Sequence, residues 1–156
     1  IQMLAHGIST GALFVMAGIL KERLHTRDIE QMGGLWATMP GMGGLVMVFT
    51  MASLGLPLLG NFIAEFLILL GTFPVNGLFT VIASIGLVLS ALYSLRMMQK
   101  VFLGPATHAL PVKDINAREW IIMGLLCISI VLLGLLPQPI MDTAKGVIQQ
   151  LVAGRE

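Results

Sequence analysis

Long apolar stretches separated by short polar connections run through this chain. A helix needs about 20 apolar residues to cross the hydrocarbon core of a bilayer. Four stretches approach or exceed that length and predict membrane-spanning helices at about 2–20, 41–73, 77–95 and 120–136. The pattern therefore predicts an all-α fold, a polytopic bundle of transmembrane helices.

The stretch 41–73 is too long for one membrane helix. At about 1.5 Å per residue it would reach roughly 50 Å, well beyond a hydrocarbon core of about 30 Å. An interruption is indicated near 56–60, where Pro57 lacks an amide donor and the glycines on both sides weaken a helix. We therefore expect one discontinuous helix at this place in the bundle.

The two halves of this discontinuous helix are predicted at about 42–55 and 61–73, with Asn61 as the cap of the second half. Backbone that is not helical at membrane depth is tolerated only where protein or a water-filled cavity satisfies it. Such breaks often mark ion sites in transporters. Glu65 follows the predicted break by about one turn and becomes the first candidate for function.

A shorter amphipathic helix, about 140–153, is predicted after a Pro-Gln-Pro sequence that ends the last span. We expect it to lie on the membrane surface or on a neighbouring subunit. Neither a soluble domain nor a repeat is visible, so residues 1–156 are interpreted as a single transmembrane module.

Basic residues are distributed unevenly between the connections. If the spans alternate, one side of the membrane receives Lys21, Arg23, Arg27, Arg96, Lys100, Lys113 and Arg118, and the other receives Lys145 and Arg155. The positive-inside rule then predicts that the connections around 21–40 and 96–119 face the cytoplasm.

Composition supports the membrane interpretation. Hydrophobic residues make up 56% of the chain and charged residues 11%, against roughly 25% charged in soluble domains. The lipid bilayer is therefore the expected partner, while a net charge of +1 gives nucleic acid no basic surface. A single cysteine, Cys127, permits neither a disulfide framework nor a metal cluster. The chain begins inside an apolar stretch without a signal-peptide pattern, so we expect a piece of a longer protein.

Glu65 is the only carboxylate or ammonium side chain within 41–73. An ionisable group at membrane depth costs a few kcal/mol and is usually paired, exposed to an internal cavity, or functional. A carboxylate beside a helix break suits a proton relay, which is the interpretation we favour. The alternative is a structural carboxylate held by an amide or by a neighbouring cation.

His6 is the titratable residue of the first predicted span, with Ser9 and Thr10 three and four residues further along. These three side chains are predicted to form one polar stripe on the helix. Histidine changes its charge near neutral pH and has two usable ring nitrogens, which suits a proton path. An interhelical hydrogen bond is an equally good interpretation of His6.

Several motifs also carry a resemblance to a known family. They are 2–7 (QMLAHG), 21–28 (KERLHTRD) with 32–36 (MGGLW), and 54–66 (LGLPLLGNFIAEF). These segments resemble the antiporter-like membrane subunits of respiratory complex I, the NADH-quinone oxidoreductase. Among these subunits they are most similar to the M-type chains, the counterparts of mitochondrial subunit 4, and the resemblance runs essentially from end to end.

The resemblance implies that this chain is the C-terminal part of a longer subunit in a bacterial inner (cell) membrane. It implies proton translocation coupled to NADH oxidation and quinone reduction, with Glu65 as the last carboxylate of a proton-transfer chain and His6 on the same polar axis. The related L-type and N-type chains usually carry lysine at the position of Glu65. Because the family's other proton-transfer residues belong to helices absent from this chain, it is not expected to pump alone.

Partners and cofactors also follow from the resemblance. Other membrane subunits of complex I are the expected partners. NAD, FMN, iron–sulfur clusters and quinone are expected in those partner subunits, and no cofactor is expected in this chain. Two alternatives remain open: a subunit of a multisubunit cation/proton antiporter or membrane hydrogenase, and a structural membrane scaffold without a role in proton transfer.

Overall fold

All regular elements are helical in the computed structural model, which describes residues 1–105 and 112–153. The helices are α1 (Gln2–Leu24), α2 (Leu35–Thr38), α3 (Pro40–Ser53), α4 (Gly60–Thr72), α5 (Gly77–Val101), α6 (Ala117–Leu135) and α7 (Gln138–Ala153), with a 3₁₀ helix at Ile29–Gln31. The predicted all-α fold is confirmed.

Three helices of the described residues, α1, α5 and α6, are long and apolar enough to cross a membrane. The helices α3 and α4 are apolar but shorter. The predicted spans 2–20 and 77–95 stop at the first basic residues, whereas α1 continues to Leu24 and α5 to Val101. Basic side chains interact favourably with the C-terminal end of a helix, so they extend these two helices and do not end them.

The discontinuous helix is confirmed as α3 and α4, with residues 54–59 non-helical between them. Gly55 ends α3 in a left-handed conformation with φ of +68°, which a glycine adopts without a side-chain clash. The Leu56 amide then donates back to the Met51 carbonyl at 3.1 Å. The break starts earlier than the predicted 56–60 because of this turn, and it ends earlier because Gly60 is already helical.

The break packs against α6 at Gly134. A methyl group added to Gly134 would collide with the backbone carbonyl of Leu58. Gly60, the first residue of α4, lies close to both α6 and α1, since an added methyl group would be 2.8 Å from Leu133 Cβ and 3.2 Å from Ala5 Cβ. Leu58 itself has a φ of +83°, a left-handed conformation that costs a non-glycine residue about 1–2 kcal/mol. The small residues Gly134 and Gly60 therefore let two helices hold the break in place.

The helix α1 packs against α3, α4 and α6. Its buried side is formed by residues at helical spacing, namely Ala5, Ser9, Ala12, Met16 and Ile19. Large side chains from the neighbouring helices complete the core, among them Met42, Phe49, Met123 and Ile130. The first predicted span thus packs against both halves of the discontinuous helix and against α6.

Within the described residues α5 buries little of its surface, only Thr80, Ser94, Met98 and Val101. The rest of this helix exposes large apolar side chains such as Phe79, Ile82 and Leu92. An apolar surface of this size is typical of a helix that faces lipid or another protein.

Charged residues join the helices at one end of the bundle. Arg23 at the end of α1 forms an ion pair with Glu119 at the start of α6, at 2.5 Å, with both side chains largely buried. Lys100 of α5 pairs with Glu30 of the 3₁₀ helix. The two connections predicted to share one side, around 21–40 and 96–119, are therefore in contact.

The same end of the bundle caps α3. Asp114 accepts hydrogen bonds from the backbone amides of Gly41 at 2.7 Å and Met42 at 3.0 Å. A carboxylate at a helix N-terminus satisfies amides that have no partner within the helix. The connection before α6 thus fixes the start of the discontinuous helix.

The predicted amphipathic segment 140–153 lies within α7. Several side chains of its predicted apolar face are outside the described part of the chain. Its placement on the membrane surface stays a prediction.

We expect the change Gly134→Ala to destabilise the fold, because the added methyl group meets backbone atoms of the break, which cannot rotate away. Overpacking of this kind typically costs about 1–3 kcal/mol. The matched control is Gly124→Ala in the same helix, where nothing lies within 4 Å of the added methyl group. Thermal unfolding of the full-length subunit in detergent should show a lower Tm for Gly134→Ala only. Equal Tm values for the two variants would contradict the described packing.

Candidate functional site at the helix break

Glu65 lies in the second turn of α4, half-buried and pointing toward both α1 and the break. Its carboxylate oxygen Oε1 accepts a hydrogen bond of 3.4 Å from the Gln2 side-chain amide of α1. The other oxygen, Oε2, would be only 2.7 Å from a methyl group added to Gly55. The carboxylate therefore occupies the space between the start of α1 and the left-handed glycine of the break.

Asn61 lies four residues before Glu65, on the same face of α4. This side chain is 1% exposed, and its Nδ2 donates to the Ser9 hydroxyl of α1 at 3.1 Å. Ser9 in turn donates to the His6 carbonyl at 3.2 Å. The helices α1 and α4 thus meet along a polar seam, which we define as Gln2, Ser9, Asn61 and Glu65.

His6 lies outside this polar seam. Its imidazole is exposed within the described residues and is 3.3 Å from the Thr10 hydroxyl on the same helix. The hydrogen-bond partner of the His6 ring in the described part of the chain is Thr10, and Glu65 is not among its partners. The predicted stripe is therefore divided: Ser9 is buried against α4, whereas His6 and Thr10 lie on a more open face of α1.

The predicted role of Asn61 as a helix cap is wrong. The N-cap of α4 is Leu59, without a capping side chain, and Asn61 already belongs to the first helical turn. Its amide bonds Ser9 on another helix, a tertiary partner that the local capping preference of asparagine does not reveal. Asn61 fixes the position of α4 relative to α1.

Two residues of the site were missed by sequence reasoning. Gln2 contacts Glu65, and Gly55 leaves the room that its carboxylate occupies. A signal for Gln2 was present, because Gln2 and Ser9 are seven residues apart and share one face of a helix. For Gly55 no such signal exists, since its proximity to Glu65 depends on the path of the break.

Glu65 forms no ion pair with the residues that the structure describes. The ion pairs of the described residues lie away from this site. They join Arg23 to Glu119, Lys100 to Glu30 and Lys145 to Asp142. Glu65 is instead contacted by the neutral amide of Gln2. A carboxylate that has no salt bridge within the described residues can change its protonation state without breaking one.

A family model described as NADH:quinone oxidoreductase/Mrp antiporter, transmembrane, matches residues 1–92. This range includes α1, the break and Glu65. Among curated proteins, NADH-quinone oxidoreductase subunit M of Pseudomonas aeruginosa is 48% identical over 94% of this chain and 29% of its own length. Subunit M of Escherichia coli K12 is 44% identical over 95% of this chain and 30% of its own length.

A solved structure shows the same fold. A chain in the respiratory complex I of Thermus thermophilus with bound NADH matches with a TM-score of 0.81 and 35% sequence identity. The match covers 85% of this chain and 28% of that chain. This chain therefore spans less than a third of the length of the relatives it matches.

The contact between Gly55 and Glu65 generates a prediction. We expect Gly55→Ala to displace the Glu65 carboxylate from Gln2, because the obstructing atom is the end of a flexible side chain and moves more easily than backbone. Gly34→Ala is the control: Gly34 also has a positive φ, +62°, so both variants carry the cost of about 1–2 kcal/mol for a left-handed alanine.

The structures of the two variants in the full-length subunit distinguish these effects. Tm should fall by a similar amount in both, whereas the hydrogen bond between Gln2 and Glu65 should be lost only in Gly55→Ala. An unmoved Glu65 in Gly55→Ala would show that the carboxylate does not occupy the space beside Gly55.

Proposed function

Because the chain belongs to the NADH:quinone oxidoreductase/Mrp antiporter transmembrane family, we propose that it is part of a proton-translocating membrane subunit of an NADH-quinone oxidoreductase. Relatives named subunit M, 48% and 44% identical to this chain, support the choice of that branch. As a member of this family with three apolar helices long enough to span, the chain is a multi-pass segment of the bacterial inner membrane.

The observation that carries the proposal is Glu65, a half-buried carboxylate beside a helix break with a neutral amide as its hydrogen-bond partner. A carboxylate with a structural role at membrane depth normally has a counter-charge. Here the described residues offer amide and hydroxyl groups instead, along the polar seam. Such groups hydrogen-bond a carboxylate and its protonated form alike, which favours proton transfer over a fixed ion pair.

We assign proton translocation to the longer subunit, since this chain corresponds to about 30% of the length of its subunit M relatives. Within that subunit Glu65 acts as a proton relay, and His6 is a second candidate relay. Coupling to NADH oxidation and quinone reduction takes place through the other subunits of complex I, which are the proposed partners. NAD, FMN, iron–sulfur clusters and quinone are placed in those partners.

Cation/proton exchange is a second candidate function, because the description of the matching family joins the oxidoreductases to the Mrp antiporters. The two candidates differ in the proteins that accompany the subunit. Mass spectrometry of the purified native complex separates the two candidates. Flavin and iron–sulfur proteins among its subunits would indicate an oxidoreductase, and their absence would indicate an antiporter.

Glu65→Gln in the complete enzyme tests the proposed relay. The change removes the titratable group and nearly keeps its shape, so we expect quinone reductase activity and the proton gradient to fall together, by at least about tenfold. Glu65→Asp should retain part of both activities. The matched control is Glu22→Gln, an exposed glutamate at the other end of α1, which should leave them unchanged. Normal pumping by an assembled Glu65→Gln enzyme would rule out the relay and favour a scaffold.

His6→Ala tests the second candidate relay. If His6 carries protons, specific activity per assembled complex should fall, by less than in Glu65→Gln because the Thr10 hydroxyl still offers a hydrogen-bonding group on the same face. His25→Ala, at the exposed end of α1, is the control and should have no effect. If only the amount of assembled complex decreases, His6 stabilises the helix packing by the modest energy of such hydrogen bonds, about 0.6 kcal/mol on average, and is not a relay.

A further inference from the structure

Gln2 uses only half of its side-chain amide in the described structure. Its Nε2 donates to Glu65 Oε1 at 3.4 Å, a long hydrogen bond. Its carbonyl oxygen, Oε1, is buried and has no hydrogen-bond partner among the described residues. A buried acceptor without a partner is costly and calls for an explanation.

The orphaned oxygen is already enclosed by this chain, since its surface is shielded by the helices described above. The carboxyl group of Glu65 lies within reach of a rotation of this amide, because the other end of the same amide already contacts it.

We propose that Gln2 is a positioning residue that hydrogen-bonds Glu65 in both of its protonation states. When Glu65 is ionised, Gln2 Nε2 donates to the carboxylate. When Glu65 takes up a proton on one carboxyl oxygen, the Gln2 amide turns over, and its Oε1 accepts the new O–H. The inference rests on the proposed function, because it concerns the way in which the relay residue is held.

The exchange requires little movement. The two ends of a glutamine amide are nearly the same size, and the last torsion of the side chain has two broad, roughly equivalent orientations. A rotation of the amide therefore exchanges donor for acceptor at one place, without shifting α1 or α4. Gln2 neither gains nor loses a proton in either state, so it positions Glu65 and does not itself carry the proton.

This arrangement differs from a salt bridge in its chemistry. A lysine or arginine beside Glu65 has only donors, so it could not accept the O–H of the protonated form, and its charge would favour the ionised form. An amide serves both forms, so that proton uptake and release each leave Glu65 hydrogen-bonded. Gln2 would thereby keep the carboxyl group in one place through the whole cycle.

The test uses Gln2→Met in the complete, assembled enzyme, because methionine is similar in length and lacks amide hydrogen bonds. We expect turnover per complex to fall about tenfold, the size of effect available to a hydrogen bond made to a charged group. The infrared carbonyl band of protonated Glu65, identified as the band that Glu65→Gln removes, should move toward the position of a free acid. Gln99→Met on the exposed side of α5 is the matched control and should change neither quantity.

The infrared band separates this inference from the proposed function. Loss of turnover in Glu65→Gln together with an unmoved band and normal turnover in Gln2→Met would overturn the role of Gln2 and leave the relay standing. Normal turnover in Glu65→Gln would overturn the proposed relay. If the band nevertheless moves in Gln2→Met, the hydrogen bond between Gln2 and Glu65 is supported even though the relay is not. If the Gln2→Met enzyme does not assemble, Gln2→Glu is the second test, because glutamate keeps the shape and the acceptor oxygens of glutamine but lacks its amide N–H donors. Gln2→Glu should likewise move the band and lower turnover, and an unchanged band would count against the proposal.

Discussion

Non-helical backbone at membrane depth must be kept away from lipid, by protein or by a water-filled cavity, and here the packing around residues 54–59 supplies protein. Gly134 of α6 has no side chain where the backbone of the break approaches, and Gly60 permits the same approach to α1. These contacts hold Leu58 in its left-handed conformation. Because α6 and α1 pack closely against the break and the first residue of α4, the position of α4 along the bundle and the face that it turns toward α1 are both determined.

The fixed face of α4 is what gives the polar seam its order. Asn61 and Glu65 are one turn apart, and α1 supplies a matching hydroxyl and amide in Ser9 and Gln2. The seam thus combines a deeply buried hydrogen bond, which holds the two helices together, with a more accessible one, which contacts the titratable group. Asn61 and Ser9 thus hold the helices together, while the proposed proton transfer belongs to Glu65, one turn further along α4.

Local features of the sequence predicted the helices and the break of this fold. The contacts within the site could be seen only in the three-dimensional structure. The break could be predicted because Pro57 and Gly55 act on their own backbone, whatever surrounds them. Gln2 and Glu65 are 63 residues apart, and no local pattern indicates their contact. The separation of Ser9 from His6 also escaped prediction, since a helix that is apolar on most sides does not reveal which face its neighbours will cover. The role of Glu65 itself stays a prediction.

The ion pair between α1 and α6 has a consequence for synthesis in the membrane. Glu119 follows Arg23 by 96 residues. At a ribosomal rate of about 5–20 residues per second, roughly 5 to 20 s pass between the two. The helix α4 is made partway through this interval, because Asn61 follows Ser9 by 52 residues and Glu65 follows Gln2 by 63. The polar contacts between α1 and α4 can therefore form while the guanidinium of Arg23 still waits at the interface for Glu119 of α6.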